Sequence, residues 1–347
     1  MTDVLAAEVA RTVLAECVCG ALRAAVTEAA IDEISHDAAA RRKSAPAAAP
    51  AECDAETFPG DIPPAQRFDL SRADAEFILK RFPASYFRNE RAVKRAVAEA
   101  WRQERAEVIA NLRRYGKAAL PGSRLKPGLD LAASVMPSET MWATRLLRNL
   151  TPVLRKALLD AAKTSHARYG FEGVFNVQSP YVARWLKTYL PKLSGVVAKE
   201  DRAQIMAALR EGISAGEGIG DLTSRVAEVF DDWEDRYRSY RIARTETIRA
   251  SNEGALESYR QSGVVEAKEW GANPTACDFC AELDGTVIGL EEDFIPKGGS
   301  ITVADGDQTR TMTNNYADVT GPPAHPNCMC YLAPVITEIS PGAGEEE

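Results

Sequence analysis

The chain has 347 residues, of which 45% are hydrophobic and 27% are charged, a composition typical of a globular protein long enough for two or three domains. Its formal net charge of -8 disfavours tight, sequence-specific DNA binding by the whole protein. Its cysteine count of 7 is odd and low for this length, which excludes a secreted disulfide framework.

Residues 1–40 are predicted to form one amphipathic helix. Apolar side chains recur at helical spacing, at Leu14, Val18, Leu22 and Ala25. Charged residues interrupt the apolar ones, so the segment has neither the pattern of a signal peptide nor that of a membrane span, and we expect synthesis in the cytoplasm and no membrane partner. The Ala/Pro-rich residues 41–66 are predicted to be a linker, which tethers a helix whose apolar stripe needs a partner.

A helical domain is predicted over residues 67–198, and its first half is basic. Residues 67–126 contain 15 Lys+Arg against 7 Asp+Glu, whereas residues 263–347 contain 3 against 15. One interpretation is a set of solvated helix faces and a solubilising tail. The alternative is that the basic segment contacts nucleic acid or an acidic partner. Because its aromatic residues fit a core better than a stacking platform, only salt-sensitive phosphate contacts would then be expected.

Five more helices are predicted before the C-terminal module. They span residues 139–168, 179–190, 199–214, 221–232 and about 232–262. The stretch "SAGEGIG" before Asp221 contains glycines that resemble a phosphate-binding loop. Since it follows a helix rather than a strand and lacks the P-loop lysine, we interpret it as an interhelical turn.

Three short strands are predicted within residues 263–336. They are "VVEAKEW", "GTVIGL" and "YLAPVI", separated by glycine- and proline-rich loops, and residues 337–347 are predicted to be an acidic disordered tail. The predicted fold class is therefore mainly α: a multi-helix body with an N-terminal amphipathic helix and a small α+β, zinc-knuckle-like C-terminal module. A module this small gains most from a structural metal.

Five potential metal ligands are concentrated in this module. The stretch "CDFC" contains Cys277 and Cys280, and "HPNCMC" contains His325, Cys328 and Cys330. Two ligands separated by two residues have the zinc-knuckle spacing, so the two pairs predict one structural Cys3His zinc site. The spacing favours His325 and Cys328 in this site, with Cys330 as the alternate fourth ligand.

Three other interpretations of the cysteines compete with structural zinc. They are buried core thiols, disulfides formed in an oxidising setting and a thioredoxin-type redox pair, which would need "CDFC" at the start of a helix in a βαβ unit. A catalytic zinc is disfavoured, because the deaminase pattern requires a glutamate two residues after the histidine. Four protein ligands would also leave no open position on the metal.

Four motifs follow one another near the C-terminus: "ARTETIRASNEGALESY", "KEW", "CDFCAELDGTVI" and "PPAHPNCMCYLAPV". In this order they resemble the Mu F-like minor head proteins of tailed bacteriophages, the head morphogenesis family, whose domain is assigned here to residues 199–347. Met329 departs from the pattern, since the family commonly has arginine there. The resemblance singles out further motif residues, namely Arg244, Thr245, Glu246, Trp270, Asp284, Gly285 and Pro326. We expect Arg244 and Glu246 to anchor the C-terminal module to the long helix.

The resemblance implies a minor structural protein of the virion rather than an enzyme. Made in the host cytoplasm, it would lie in the capsid interior near the portal and act in head assembly, DNA packaging or DNA delivery. The implied partners are the portal protein, the major capsid or scaffolding protein and, through residues 67–126, packaged DNA. Two alternatives stay open: a metal-dependent or ADP-ribosyltransferase-type enzyme carried in the virion, and a nonspecific nucleic-acid-binding protein of low affinity.

Overall fold

The computed structural model describes residues 77–78, 80–119, 130–235, 237–306, 308–315 and 317–336. The predicted N-terminal helix, linker and acidic tail lie outside these residues. The described helices are α1 (Tyr86–Ala119), α2 (Leu131–Val135), α3 (Glu139–Arg168), α4 (Pro180–Ser214), α5 (Ile219–Asp235), α6 (Tyr237–Ser262) and α7 (Asp278–Leu283). The strands are β1 (Val265–Gly271), β2 (Val287–Gly289), β3 (Ser300–Asp305), β4 (Gln308–Thr313) and β5 (Tyr331–Ile336). The described chain is thus mainly helical with small C-terminal sheets, as predicted.

Five long helices share one apolar core, with α3 packed between α1, α4 and α6. Local signals start α3, because Ser138 accepts a hydrogen bond from the Met141 backbone N–H and Glu139 lies in the first turn. The helices α3 and α6 pass unusually close at Gly254, where a Cβ atom would lie 2.2 Å from the Leu158 carbonyl oxygen. Only glycine permits this approach, which fixes α6 tightly against the body. None of the helices in the described part of the chain combines the length and the apolar character needed to cross a bilayer.

Helix α4 differs from the sequence prediction, which placed separate helices at residues 179–190 and 199–214. It is one helix of 35 residues with Pro191 inside it. A proline in a helix interior removes one backbone hydrogen bond and costs about 3 kcal/mol. Leu190 and Val197, on either side of Pro191, are both buried in the common core. Tertiary packing therefore holds the two halves in line despite the local cost.

The C-terminal module contains a three-stranded antiparallel sheet in the order β2-β1-β5 and a separate hairpin, β3-β4. The three predicted strands are confirmed, while the hairpin and the short helix α7 were not predicted. The hairpin follows an alternating pattern, since Ile301, Val303 and Met312 are buried and their neighbours are not. "CDFC" does lie at the start of a helix, but the strands on either side of α7 pair antiparallel, so no βαβ unit forms.

Candidate metal centre

The loop that carries "CDFC" is closed at its base by Trp270, Asp284 and Gly285. Trp270 is fully buried at the end of β1. Its carbonyl oxygen accepts a 2.9 Å hydrogen bond from the Gly285 N–H, and Asp284 Oδ1 accepts one of 2.7 Å from the Ala272 N–H. Gly285 has a φ of 72°, a left-handed conformation that suits glycine. Three of the predicted motif residues therefore shape the backbone that brings α7 back over β1.

The second ligand segment is a sharp turn over His325, Pro326, Asn327 and Cys328. The Cys328 N–H donates a 3.2 Å hydrogen bond to the His325 carbonyl oxygen. Asn327 adopts a φ of 62°, which asparagine tolerates better than most residues with a side chain. The turn places the His325 ring and the Cys328 thiol on the side that faces α7, as the proline and asparagine predicted.

Donor atoms from the two segments converge. His325 Nε2 lies 3.2 Å from Cys277 Sγ and 3.1 Å from Cys280 Sγ, and Cys280 Sγ lies 3.5 Å from Cys328 Sγ. Ligand atoms around a tetrahedral zinc ion are separated by roughly 3.5 to 3.8 Å, because Zn–S bonds are about 2.3 Å and Zn–N bonds about 2.0 Å long. The observed separations between donor atoms are only a few tenths of an ångström shorter than these distances. A small expansion of the cluster would therefore admit the ion.

All five predicted ligands belong to the cluster. Two overlapping groups, Cys277 with Cys280 and His325, and Cys280 with Cys328 and Cys330, have ligand atoms that lie within 4.8 Å of one another. Cys280 is common to both groups. All four cysteines are free, and the separation of 3.5 Å between Cys280 and Cys328 is far longer than a disulfide bond of about 2.05 Å. The described residues thus form a cluster of soft donors that could hold a metal ion.

The orientation of His325 suits metal binding. Its Nδ1 atom lies 2.8 Å from the Pro326 carbonyl oxygen. A carbonyl oxygen can only accept, so Nδ1 carries a proton, and Nε2 is the ring nitrogen directed at the two thiols. Metal-binding histidines are commonly fixed in this way by a partner of the second ring nitrogen. Pro326, singled out in the sequence, therefore contributes its carbonyl oxygen to the site.

The electrostatics of the cluster favour a cation. Burial disfavours a charged imidazole, but the hydrogen bond with Cys277 and the neighbouring thiols raise the pKa of His325 to about 9. Hydrogen bonds with Cys277, Cys328 and Cys330 raise the pKa of Cys280 above its ordinary value. Burial opposes ionisation of Cys328 as well, yet the hydrogen bonds from Cys280 and Cys330 and the charge of His325 hold its pKa well below its ordinary value. The thiols cannot all ionise together unless a cation replaces their protons.

Helix α6 holds the second ligand segment by three side chains spaced seven residues apart, Thr245, Asn252 and Tyr259. Thr245 Oγ1 accepts a 3.0 Å hydrogen bond from the Asn327 N–H, inside the ligand turn. The Tyr259 hydroxyl donates a 2.8 Å hydrogen bond to the Leu332 carbonyl oxygen. Residues seven apart lie on the same side of a helix, so this side of α6 forms a continuous support for residues 322–332.

Asn252 makes the most hydrogen bonds of the three supporting residues. Its Nδ2 donates to the carbonyl oxygens of Pro322 and Cys330, at 3.0 and 3.1 Å, and its Oδ1 accepts from the Leu332 N–H at 3.0 Å. Asn252 is 3% exposed, so these backbone groups have no access to water. Asn252 and Tyr259 were not predicted as site residues from the sequence. The repeat of polar residues at positions 245, 252 and 259 was the signal that could have identified them.

Arg244 and Glu246 have a different role from the one expected. The Arg244 Nε donates to Glu90 Oε1 of α1 at 3.1 Å, and Glu246 Oε2 accepts from the Tyr189 hydroxyl of α4 at 2.6 Å. Both side chains are buried in the helical body. They therefore anchor α6 to α1 and α4, while Thr245 between them holds the C-terminal module. Adjacent residues of one motif, about 100° apart around the helix, thus contact different packing surfaces.

Substitution of Thr245 by valine is expected to loosen the ligand turn. Valine has nearly the same shape but cannot accept the hydrogen bond from Asn327, so we expect a loss of about 1 kcal/mol in the free energy of unfolding. Denaturant unfolding and chelator competition should show a less stable module and faster metal loss. Thr151→Val is the matched control, because Thr151 Oγ1 donates to its own helix at 2.7 Å as Thr245 does. Equal effects of the two variants on metal retention would contradict this role.

Comparison with known proteins gives a family match that includes both ligand segments. Residues 203–333 match the family described as Phage Mu protein F like protein, which confirms the resemblance for the C-terminal domain. A protein of Bacillus subtilis (strain 168), described as "Uncharacterized protein YqbB", is 29% identical over 177 residues. The alignment covers 50% of this chain and 54% of that protein, so the chain spans about half the length of this relative. No solved structure gives a significant match.

Proposed function

We propose that this chain, whose residues 203–333 form a Mu F-like domain, is a minor structural protein of a tailed-phage head. The family match carries the proposal, because the Mu F-like family is one of phage head morphogenesis proteins. The matched residues include α6, which connects the helical body with the C-terminal module, and both ligand segments. The family is structural, which agrees with a role in assembly rather than in catalysis.

Within this role the C-terminal module binds one structural zinc ion. Cys277, Cys280, His325 and Cys328 are the proposed ligands, with Cys330 as the alternate fourth. The donor set of thiolates and one imidazole is typical of zinc, and a complete tetrahedral set leaves no position for substrate or water. The ion would join α7 to the turn that α6 supports, and so would make the fold of a small module cooperative.

The proposed location is the capsid interior near the portal, with assembly in the host cytoplasm. The proposed partners are the portal protein, the major capsid or scaffolding protein and packaged DNA. The predicted amphipathic helix at residues 1–40 is the candidate contact with protein partners, since its apolar stripe needs a surface to cover it.

Co-assembly tests this proposal. The chain would be co-expressed with the portal, scaffolding and major capsid proteins of one phage, and procapsids would be separated by sedimentation and probed with an antibody. The full chain is expected to sediment with procapsids, whereas a variant that lacks residues 1–40 stays at the top of the gradient with its zinc retained. Omission of the portal protein tests whether incorporation depends on it. A full chain that never sediments with complete procapsids would overturn the assignment.

A further inference from the structure

Seven basic side chains form two parallel series on the antiparallel helices α1 and α3. They are Arg88, Arg95 and Arg102 on α1, and Arg148, Arg155, Lys156 and Lys163 on α3, and all seven are exposed. Intervals of seven residues, as from Arg88 to Arg95 and from Arg148 to Arg155, are almost two helical turns. Each series therefore stays on one side of its helix and advances about 10 Å per interval.

Contacts between the two helices place the series side by side. At one end, Asn89 Nδ2 donates a 3.0 Å hydrogen bond to Asp160 Oδ2. At the other end, Arg148 Nη2 donates a 3.3 Å hydrogen bond to Gln103 Oε1. These contacts put Arg88 and Lys163 at one end of the helix pair and Arg102 and Arg148 at the other. We call the seven residues the α1–α3 basic face.

This face carries an excess of positive charge. Two of its members are neutralised within their own helix, Arg102 by Glu99 at 2.7 Å and Lys156 by Asp160 at 2.5 Å. The remaining five, Arg88, Arg95, Arg148, Arg155 and Lys163, have no acidic partner among the described residues. Such a concentration of free cations is unusual in a chain with a net charge of -8, and it marks the face as a site for an anionic partner.

The face differs from the basic segment that the sequence indicated. Four of its seven residues belong to α3, outside residues 67–126. Conversely, Arg105 of α1 points away from the face and pairs with Asp231 of α5 at 2.5 Å. Only the packing of α1 against α3 brings the free cations together.

We propose that the α1–α3 basic face binds the phosphate backbone of double-stranded DNA. Arg88 and Arg102 are separated by about 21 Å along the helix axis, which corresponds to roughly six base pairs at 3.4 Å each. The aromatic side chains Tyr86, Trp101 and Trp142 of these helices are buried, so they cannot stack on the bases of a single strand. Within the described residues, neither the segment from Arg88 to Arg102 nor that from Arg148 to Lys163 contains a large exposed apolar side chain. A protein partner that binds through apolar anchor residues is therefore disfavoured.

The inference deepens the proposed function and rests on it for the source of the DNA, since packaged DNA is the polyanion that a head protein meets. The binding chemistry itself requires only the isolated chain. Phosphate contacts without base contacts give affinity without sequence preference and a steep dependence on salt.

Fluorescence anisotropy with a labelled duplex of about twenty base pairs tests the inference between about 0.05 and 0.2 M NaCl. The full chain is expected to bind sequences of different composition equally, with a logarithmic salt slope between about -3 and -5 for four or five contacts. The variant Arg95→Gln/Arg155→Gln should bind on the order of fifty-fold more weakly near 0.1 M salt, with a slope about two smaller in magnitude.

The matched control is Arg105→Gln/Lys297→Gln, which loses the same charge from two exposed or partly exposed positions outside the face. Equal losses of affinity in the two double variants would overturn the proposal, as would the absence of duplex binding at the lowest salt. Self-association of the chain at low salt, abolished by the α1–α3 variant and without duplex binding, would assign the face to an acidic protein surface instead. Zinc content and procapsid incorporation are measured on the same variants, so a failure of this inference is distinguishable from a failure of the proposed function.

Discussion

Replacement of Cys280 by serine is expected to abolish metal binding and to unfold the C-terminal module. Cys280 is the donor shared by both ligand groups and is 1% exposed, so neither group of neighbouring donors is complete without it. Because the binding energy of a structural zinc is also folding energy, the loss is expected to be several kcal/mol or more. Elemental analysis should fall from about one zinc per chain to near zero. Calorimetry should show that the transition of the module disappears.

Two further cysteine variants make this measurement specific. Cys53→Ser removes a thiol from the predicted linker and is expected to leave zinc content and unfolding unchanged. Cys330→Ser tests the fourth ligand: retained zinc would support the set with His325 and Cys328, whereas loss equal to that of Cys280→Ser would show that Cys330 is a ligand. Stoichiometric, tightly held zinc in Cys280→Ser would disprove the proposed centre. If freshly reduced wild-type protein contained no metal, the four cysteines would be interpreted as buried core thiols.

The cluster of cysteines and His325 was predictable because the spacing of its donors within each segment is local information. The spacing within "CDFC" and "HPNC" limits each pair to one turn of backbone, and the donors of each pair then face the same side. The sequence around the turn does not indicate which long helix supports it. Asn252 contacts backbone groups 70 to 80 residues away in the chain, and a buried asparagine in a helix has no sequence pattern that indicates its partner.

Packing between distant segments also explains the other differences. Pro191 is locally unfavourable in a helix, and only the buried residues on both sides keep α4 continuous. The expected role of Arg244 was wrong for a related reason. Sequence alone indicates that the residue lies on a long helix but not which neighbour faces it, and its partner Glu90 is 154 residues away. The basic residues of α1 and α3, such as Arg88 and Arg148, are about 60 residues apart in the chain. They form one face only because α1 packs against α3.

Substitution of Arg244 by alanine is expected to destabilise the helical body by about 3 to 5 kcal/mol, the usual cost of leaving one member of a buried ion pair without its partner. Glu90, the partner, is 4% exposed and accepts the Arg244 hydrogen bond at 3.1 Å. Burial raises the pKa of Glu90, and Arg244 opposes that shift. Without the arginine the pKa of Glu90 rises further. Denaturant unfolding monitored by circular dichroism measures the change.

The pH dependence separates an uncompensated charge from simple loss of packing. A carboxyl group whose pKa is higher in the folded than in the unfolded state favours folding most at low pH, and this contribution is lost as the pH rises through the folded pKa. The deficit of Arg244→Ala relative to wild type should therefore be larger at mildly alkaline pH than at mildly acidic pH. Arg244→Ala/Glu90→Gln should recover much of the stability, because a neutral amide replaces the buried charge. A deficit that is independent of pH and unchanged by Glu90→Gln would mean that Arg244 acts only through its packing against Tyr240, whose ring centroid lies 5.0 Å from the guanidinium carbon.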